Sequence, residues 1–182
     1  MNNLEHFPFP GEAACMEELQ RDLYYHKIPP KDYSRIIHAA WIWGENAAHQ
    51  YFSVYPTVFD AILQSGLSIL RIDEDHIVGS VRYFAEFFEK NKKIILYTQS
   101  IRLWSEYNGL PYSRGEELIL THEFFHYLEC AEHLSIKKPY RIPILKIGNF
   151  IIHSSTLRSI SEIGAHSFTH TYYKLLHKSN TQ

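Results

Sequence analysis

Residues 116–129 read EELILTHEFFHYLE and place two histidines and a glutamate inside an otherwise apolar segment. His122, Glu123 and His126 are surrounded there by leucine, isoleucine and phenylalanine. A buried imidazole or carboxylate loses its hydration, and this loss is costly unless another group replaces the water. Any fold of this chain must therefore supply partners for these three side chains, either from other protein groups or from a metal ion.

The spacing of the three residues favours a metal ion. On a helix, positions i and i+4 lie on the same face, so His122 and His126 can direct both rings at one cation. Glu123 is rotated away from that line and can take a proton from water instead of binding the ion. Neutral imidazoles suit Zn²⁺, which lowers the pKa of its water to about 7. The segment therefore predicts a hydrolytic zinc site with Glu123 as the general base.

The abundance of histidine weakens this motif when it is taken alone. Twelve of the 182 residues are histidine, so H-E-x-x-H arises by chance in such a chain at roughly the few-per-cent level. The alternative interpretation is a helix whose histidines are satisfied by hydrogen bonds within the core. A catalytic zinc site requires a third protein ligand and an open position, and the sequence must therefore offer that ligand.

Three classes of third ligand can be compared. In the pattern H-E-x-x-H-x-x-G-x-x-H, this chain has Glu129 in place of the glycine and Glu132 in place of the last histidine, while His133 comes one residue late. We therefore reject that class. Glu129 and Glu132 themselves are on the same helix as the histidines, and one straight helix does not easily wrap a third ligand around an ion. Glu162, on the following predicted helix, is the preferred ligand.

Glu162 belongs to the segment SISEIGAHSFTHTYY, where Ser159 is a candidate helix cap. The predicted apolar face of this helix consists of Ile160, Ile163, Phe168, Tyr172 and Leu175. His166 is one turn beyond Glu162, and it is interpreted either as a second-shell group or transition-state hydrogen-bond donor or simply as a polar residue at the edge of the helix. A metal cluster of Glu162, His166 and His170 is the less favoured alternative, because it leaves HEFFH unexplained. Cys130, one turn after His126, is interpreted as a small buried core residue, with a thiol near the metal as the alternative.

Periodicity and turn residues predict an α+β fold in which helices surround a small, mostly antiparallel sheet. Helices are expected at 11–27, from 32 into the forties, from 57 to Gly66, at 101–109, from a capping box at Ser113–Glu116 through HEFFH, and at 156–178. Strands are expected at 68–72 and as a hairpin of 81–89 with 93–101. Residues 94–98 are interpreted either as an ordinary buried strand or as a strand that presents a free edge to an extended substrate. The two prolines of KKPYRIPILKIGN predict irregular structure there.

Composition restricts the function further. The net charge is −2, with no basic block longer than two residues, so we expect neither nucleic acid nor membrane as a partner. Two cysteines and the lack of a signal-peptide pattern favour a reducing, cytoplasmic setting. The 13 tyrosines and 11 phenylalanines are typical of an aromatic core or, alternatively, of a groove for an extended, partly apolar ligand. We expect a single domain covering residues 1–182.

These residues resemble a known family. HEFFHYLE followed by SEIGAHSFT is similar to the ImmA/IrrE-type metallopeptidases, in which an H-E-x-x-H helix precedes a helix of the form E-x-x-A-x-x-F-A. Glu162, Ala165 and Phe168 occupy the fixed positions, whereas Thr169 replaces the final small residue. The segment KIILYTQSI is similar to the edge strand of that family. The resemblance covers about residues 80–178, and residues 1–79 are expected to be an N-terminal helical part of the same domain.

The resemblance implies a zincin-like, gluzincin-type site with His122, His126 and Glu162 as zinc ligands and Glu123 as the general base. It also implies a protein or peptide substrate, for example a transcriptional regulator of the helix-turn-helix type. The chain departs from the family where Phe124 and Phe125 replace a smaller Leu-Gly pair, and the segment between His126 and Glu162 is long.

The sequence thus predicts a zinc-dependent peptidase that hydrolyses a peptide bond in an intracellular protein. Two alternatives stay open. One is a metal-binding regulatory or interaction protein without turnover, derived from a peptidase. The other is a zinc hydrolase that acts on a small amide.

Overall fold

The computed structural model describes residues 7–55, 57–131, 140–148 and 150–179. Its helices are α1 (Cys15–Gln20), α2 (Tyr33–Phe52), α3 (Val58–Gln64), α4 (Thr98–Tyr107), α5 (Tyr112–Cys130) and α6 (Arg158–Ser179). Its strands are β1 (Ser68–Ile72), β2 (His76–Val78), β3 (Val81–Tyr83), β4 (Ala85–Phe88), β5 (Lys93–Tyr97), β6 (Arg141–Ile147) and β7 (Phe150–Thr156). The predicted α+β class with small, mostly antiparallel sheets is confirmed.

The central sheet has the strand order β1-β5-β4. β5 pairs in parallel with β1 and antiparallel with β4, so both of its edges are used. The predicted hairpin is confirmed for β4 and β5, and Lys92 adopts a left-handed conformation (φ 45°) in its turn. The interpretation of residues 94–98 as a free edge is wrong, because β1 pairs with that side of β5. β4 is the edge strand of this sheet.

Two predicted strands are shorter than expected. Residues 81–89 divide into β3, which pairs with β2, and β4, which pairs with β5. The strand predicted for 93–101 stops at Tyr97 because helix α4 begins at Thr98. Two side-chain hydrogen bonds hold the start of that helix to the loop after β1: Thr98 donates to Asp73, and Ser100 donates to Asp75.

Residues 141–147, which belong to the segment predicted to be irregular, form a strand instead. β6 and β7 form an antiparallel hairpin whose register shifts between Pro143 and Leu145. Proline is tolerated at such a bulge because it cannot donate a ladder hydrogen bond. Gly148 has φ +60° between the two strands, a conformation that glycine adopts without strain.

Two predicted helices also differ from those in the structure. α5 begins at Tyr112 after Pro111, and its N-cap has no side-chain hydrogen bond, so the Ser113–Glu116 capping box is wrong. Glu116 instead accepts a hydrogen bond of 2.6 Å from Arg71 of β1, which ties the sheet to α5. The helix predicted at 11–27 contains α1 and a separate 3₁₀ turn at Tyr25–Lys27. Asp22 interrupts it by accepting the backbone N–H of Tyr24.

α6 crosses α2 at a very close backbone approach. A Cβ atom added to Gly44 would lie 2.0 Å from the carbonyl oxygen of Gly164, and one added to Gly164 would lie 2.7 Å from the ring of Phe125. Phe125 is fully buried, together with Phe124 and Phe168. The predicted apolar face of α6 is confirmed, since Ile160, Ile163, Phe168 and Tyr172 belong to the core and Leu175 is half-buried. None of the described helices combines the length and apolar character needed to cross a bilayer.

We predict that Gly44→Ala destabilises the fold, although alanine favours helix more than glycine does. The added methyl group overlaps backbone that cannot rotate away, so we expect a loss of more than about 2 kcal/mol in the free energy of unfolding. Urea denaturation measures this loss. Gly11→Ala is the control, because nothing lies within 4 Å of a Cβ at that position. Equal stability of the two variants would contradict the close helix crossing.

Candidate metal centre

Three side chains from α5 and α6 meet in one place. The Nε2 atoms of His122 and His126 lie 3.2 Å apart. Oε2 of Glu162 lies 3.4 Å from Nε2 of His122 and 3.7 Å from Nε2 of His126. The structure therefore brings together the two histidines and the carboxylate predicted as ligands, although 36 positions separate His126 from Glu162 in sequence.

This triangle fits a divalent cation. A point equidistant from its three corners lies about 2.0 Å from each, which is the usual distance from Zn²⁺ to nitrogen or oxygen. Two imidazole nitrogens and one carboxylate oxygen leave a fourth position open. All three side chains are only partly exposed, with side-chain exposures of 12%, 18% and 23% for His122, His126 and Glu162. Protein therefore covers more than three-quarters of the surface of each side chain. The three residues could hold a metal ion together.

The start of α6 fixes the carboxylate. Ser159 is not the cap predicted from sequence, because α6 already begins at Arg158. Oδ2 of Asp22 caps the helix instead, accepting hydrogen bonds of 2.9 Å from the Ser159 backbone N–H and 3.0 Å from its hydroxyl. An aspartate at a helix N-terminus also interacts favourably with the helix dipole. Phe125, which fills the space beside Gly164, fixes α6 against α5 one turn further on.

The opposite charges of the carboxylate and the imidazoles in the triangle stabilise each other. Burial raises the pKa of Glu162, but the hydrogen bonds and positive charge of His122 and His126 outweigh this effect and hold it well below its usual range. Burial lowers the pKa of His126, whereas its hydrogen bonds with Glu129 and Glu162 and the nearby carboxylates raise it, to about 10. A proton on His126 therefore satisfies the carboxylate at neutral pH, and a bound cation would replace that proton.

Ser161 and Glu129 orient the second histidine. Nδ1 of His126 lies 3.1 Å from the Ser161 hydroxyl, and that hydroxyl donates a short hydrogen bond to Glu129. Because the hydroxyl donates to the carboxylate, it accepts the proton of Nδ1, which leaves Nε2 as the ring nitrogen available to a cation in the triangle. Glu129, considered above as a ligand, therefore acts as a positioning residue. Sequence analysis missed Ser161, although its place one residue before Glu162 was a usable signal.

Glu123 lies beside the triangle without being one of its corners. Burial raises the pKa of its carboxyl group, and the charges of His126 and His122 partly oppose that rise. A carboxylate with a raised pKa is a stronger base than one in water, which suits proton transfer. Glu123 also lines the two cavities that flank the triangle.

His166 lies next to His122, with ring centroids 5.2 Å apart. Burial, with the charge of His122, lowers its pKa to about 3, so the ring is neutral at physiological pH. Its Nδ1 is buried and has no hydrogen-bond partner among the described residues. His170 instead lies against the backbone carbonyls of Phe9 and Pro10 at 3.2 Å, so the alternative cluster with Glu162 does not assemble.

Cys130, Glu132 and His133 are the remaining residues that the sequence placed near the site. Cys130 is exposed at the end of α5, so its interpretation as a buried core residue is wrong. Glu132 and His133 lie outside the described residues.

A groove runs past the triangle along the outer edge of β4. One cavity, of about 330 Å³, lies on the side of Trp104 and His166. A second, of about 440 Å³, lies on the side of Phe87 and Glu129. Both are lined by Tyr83, Ala85, His122, Glu123 and Glu162. No described strand pairs with this edge of β4.

Comparisons of the chain with protein-family models, with curated proteins and with solved structures found no match. The geometry of the site therefore carries the functional argument.

We predict that purified protein binds one equivalent of Zn²⁺ and that His122→Ala and Glu162→Ala each abolish stoichiometric binding, because two ligands cannot close the site. Elemental analysis after dialysis measures the metal content.

Glu129→Gln should weaken zinc affinity about 10- to 100-fold without abolishing binding, since it acts through Ser161. His49→Ala and Glu106→Gln, both exposed on other helices, are the controls. Full metal content in Glu162→Ala would contradict the assigned triad.

We also predict that zinc binding releases about one proton between pH 6 and 9. The raised pKa of His126 means that its ring is protonated throughout this window in the metal-free protein, and the cation must displace the proton. Affinity should therefore increase by about tenfold per pH unit. Calorimetric titration in buffers of different ionisation enthalpy counts the released protons. A pH-independent affinity would exclude a protonated His126 in the metal-free site.

Proposed function

We propose that the protein is a zinc-dependent peptidase that hydrolyses a peptide bond in a protein or peptide substrate. The observation that carries this proposal is the triangle of His122, His126 and Glu162, which lies beside the partly buried carboxylate of Glu123 and beside β4, whose outer edge pairs with none of the described strands. A structural metal site would be closed by a fourth protein ligand. Among the described residues this site has three ligand residues and an adjoining groove, which is the arrangement of a catalytic site.

The donor set favours zinc over harder cations. Ca²⁺ and Mg²⁺ prefer six or more oxygen ligands, whereas two imidazoles and one carboxylate suit Zn²⁺. A bound zinc ion would supply Lewis acidity, which polarises a carbonyl group and makes water more acidic.

Glu123 would perform the proton transfers. Its carboxylate accepts a proton from water while the water oxygen forms a bond to the carbonyl carbon of the substrate. It then delivers that proton to the amide nitrogen as the C–N bond breaks, releasing a carboxylic acid and an amine. The raised pKa of Glu123 favours the first transfer, and the protonated carboxyl group is the proton donor in the second.

The neighbouring groups suit an extended substrate. Backbone N–H and C=O groups along the outer edge of β4 can pair with a peptide in the manner of an added strand. This assigns to β4 the role considered above for residues 94–98. His166 is neutral and can donate a hydrogen bond from an imidazole N–H to the oxygen that becomes negatively charged during attack.

The zincin-like arrangement agrees with the resemblance to ImmA/IrrE-type peptidases, and by that resemblance the substrate is an intracellular regulatory protein. We propose a cytoplasmic setting for the reaction because two cysteines do not form a disulfide framework.

We predict that the zinc-loaded protein cleaves members of a quenched-fluorescence peptide library and that Glu123→Gln lowers kcat/KM at least about 100-fold. Glutamine preserves the shape of the side chain but cannot accept a proton. Metal content must stay at one equivalent in this variant, because Glu123 is not a ligand. Glu106→Gln serves as the exposed control.

The same experiment separates the two alternatives. Stoichiometric zinc with equal absence of cleavage in wild type and Glu123→Gln would favour a metal-binding protein without turnover. Hydrolysis of single amino-acid amides, with none of peptides of six or more residues, would favour a small-amide hydrolase, for which the strand edge has no role.

A further inference from the structure

The cavity next to His122 and Glu123 has an aromatic wall that the proposed chemistry does not use. Its ring centroids are spaced as in packed aromatic clusters: Phe9 is 5.5 Å from Trp104, and Phe84 is 5.7 Å from Trp104. Ile119, three residues before His122 on α5, also lines this cavity. The cavity adjoins the metal triangle directly, because the Phe9 ring is stacked at 5.5 Å on the ring of His122.

Phe9 comes from a segment far from the active-site helices in sequence. His170 of α6 holds this segment through the carbonyls of Phe9 and Pro10. Phe7 packs on His170, with ring centroids 4.0 Å apart, and on Tyr173 at 5.2 Å. These contacts fix Phe9 as part of the wall, and about 330 Å³ of open space remains beside it.

The two arginines at this cavity are already paired. Arg21 forms an ion pair of 3.1 Å with Glu18, and Arg82 forms one of 2.7 Å with Asp75. Their charges are therefore not directed at a ligand, and the wall formed by Phe9, Phe84, Trp104 and Ile119 is apolar and aromatic. A volume of this size is at the lower end of the range for ligand pockets, about 300–1,000 Å³, and suits one large side chain.

We propose that Phe9, Trp104, Phe84 and Ile119 form a subsite that binds an aromatic or large aliphatic side chain of the substrate residue next to the scissile bond. The inference rests on the proposed peptidase function and names its substrate class. Phe9 is a specificity-determining residue, supplied by a segment outside the part of the chain that resembles a known family.

Binding is tested without turnover. Zinc-loaded Glu123→Gln is titrated with N-acetyl-L-phenylalanine amide and with N-acetyl-L-alanine amide while tryptophan fluorescence is recorded. The first probe should give a saturable change and the second none. Trp104→Phe should remove the change, which assigns it to this cavity and not to Trp41 or Trp43. Phe9→Ala should weaken binding about tenfold, and Phe9→Leu should weaken it less, whereas Phe59→Ala, on exposed α3 surface, should leave it unchanged.

Cleavage gives the second measurement. In peptides that vary only at the residues flanking the scissile bond, wild type should prefer phenylalanine or leucine over alanine at one of them by about tenfold or more in kcat/KM. Phe9→Leu should narrow this preference and leave alanine peptides unaffected. This split distinguishes a specificity defect from general misfolding, which would lower both rates.

Three results would overturn the inference: equal binding of the two amides, a fluorescence change that survives Trp104→Phe, or faster cleavage of every peptide by Phe9→Ala. The last result would mean that Phe9 occupies the substrate position as a plug. Saturable binding of the phenylalanine amide by a protein that cleaves no peptide would support the subsite and overturn only the proposed peptidase function.

Discussion

Two imidazoles and one carboxylate in a largely buried triangle are the constraint on which the rest of this structure depends. Separately, each of His122, His126 and Glu162 would be costly to bury. Together they satisfy one another, at distances of 3.2–3.7 Å that match those between ligands of a single small cation. In the metal-free protein, a proton on His126 offsets the negative charge of Glu162. In the metal-bound protein that we propose, the cation offsets this charge instead.

Contacts far from the site maintain this triangle. Glu162 reaches the two histidines because α6 passes α2 at Gly44 and Gly164 and because Phe125 fits beside Gly164. Asp22 caps the first turn of α6 from the N-terminal part of the chain. Two features that look unrelated to function, a pair of glycines and a lone aspartate, therefore determine where the third ligand lies. They also account for the bulky phenylalanines within HEFFH, which fill the space between α5 and α6.

The sequence predicted best what depends on local periodicity. The apolar face of α6, the β4–β5 hairpin and the shared face of His122 and His126 follow from repeats of 3.6 or 2 residues. The predictions were wrong where a residue distant in sequence determines the local structure. Glu116 binds Arg71 instead of closing a capping box, β1 takes the edge of β5 that the hairpin leaves open, and Pro143 is accommodated at a shift in register. Ser161, Glu129 and Phe9 acquire their roles only when α5, α6 and the N-terminal segment meet in space.

The most direct test of this account is X-ray absorption spectroscopy at the zinc edge of protein loaded with one equivalent of metal. We predict a first shell of nitrogen and oxygen at about 2.0 Å with multiple scattering from two imidazoles, and no stoichiometric zinc signal from His122→Ala, which does not retain the metal. Sulfur at about 2.3 Å, as from Cys130, or a third imidazole, as from His166, would contradict the assignment of Glu162 as the ligand that completes the site.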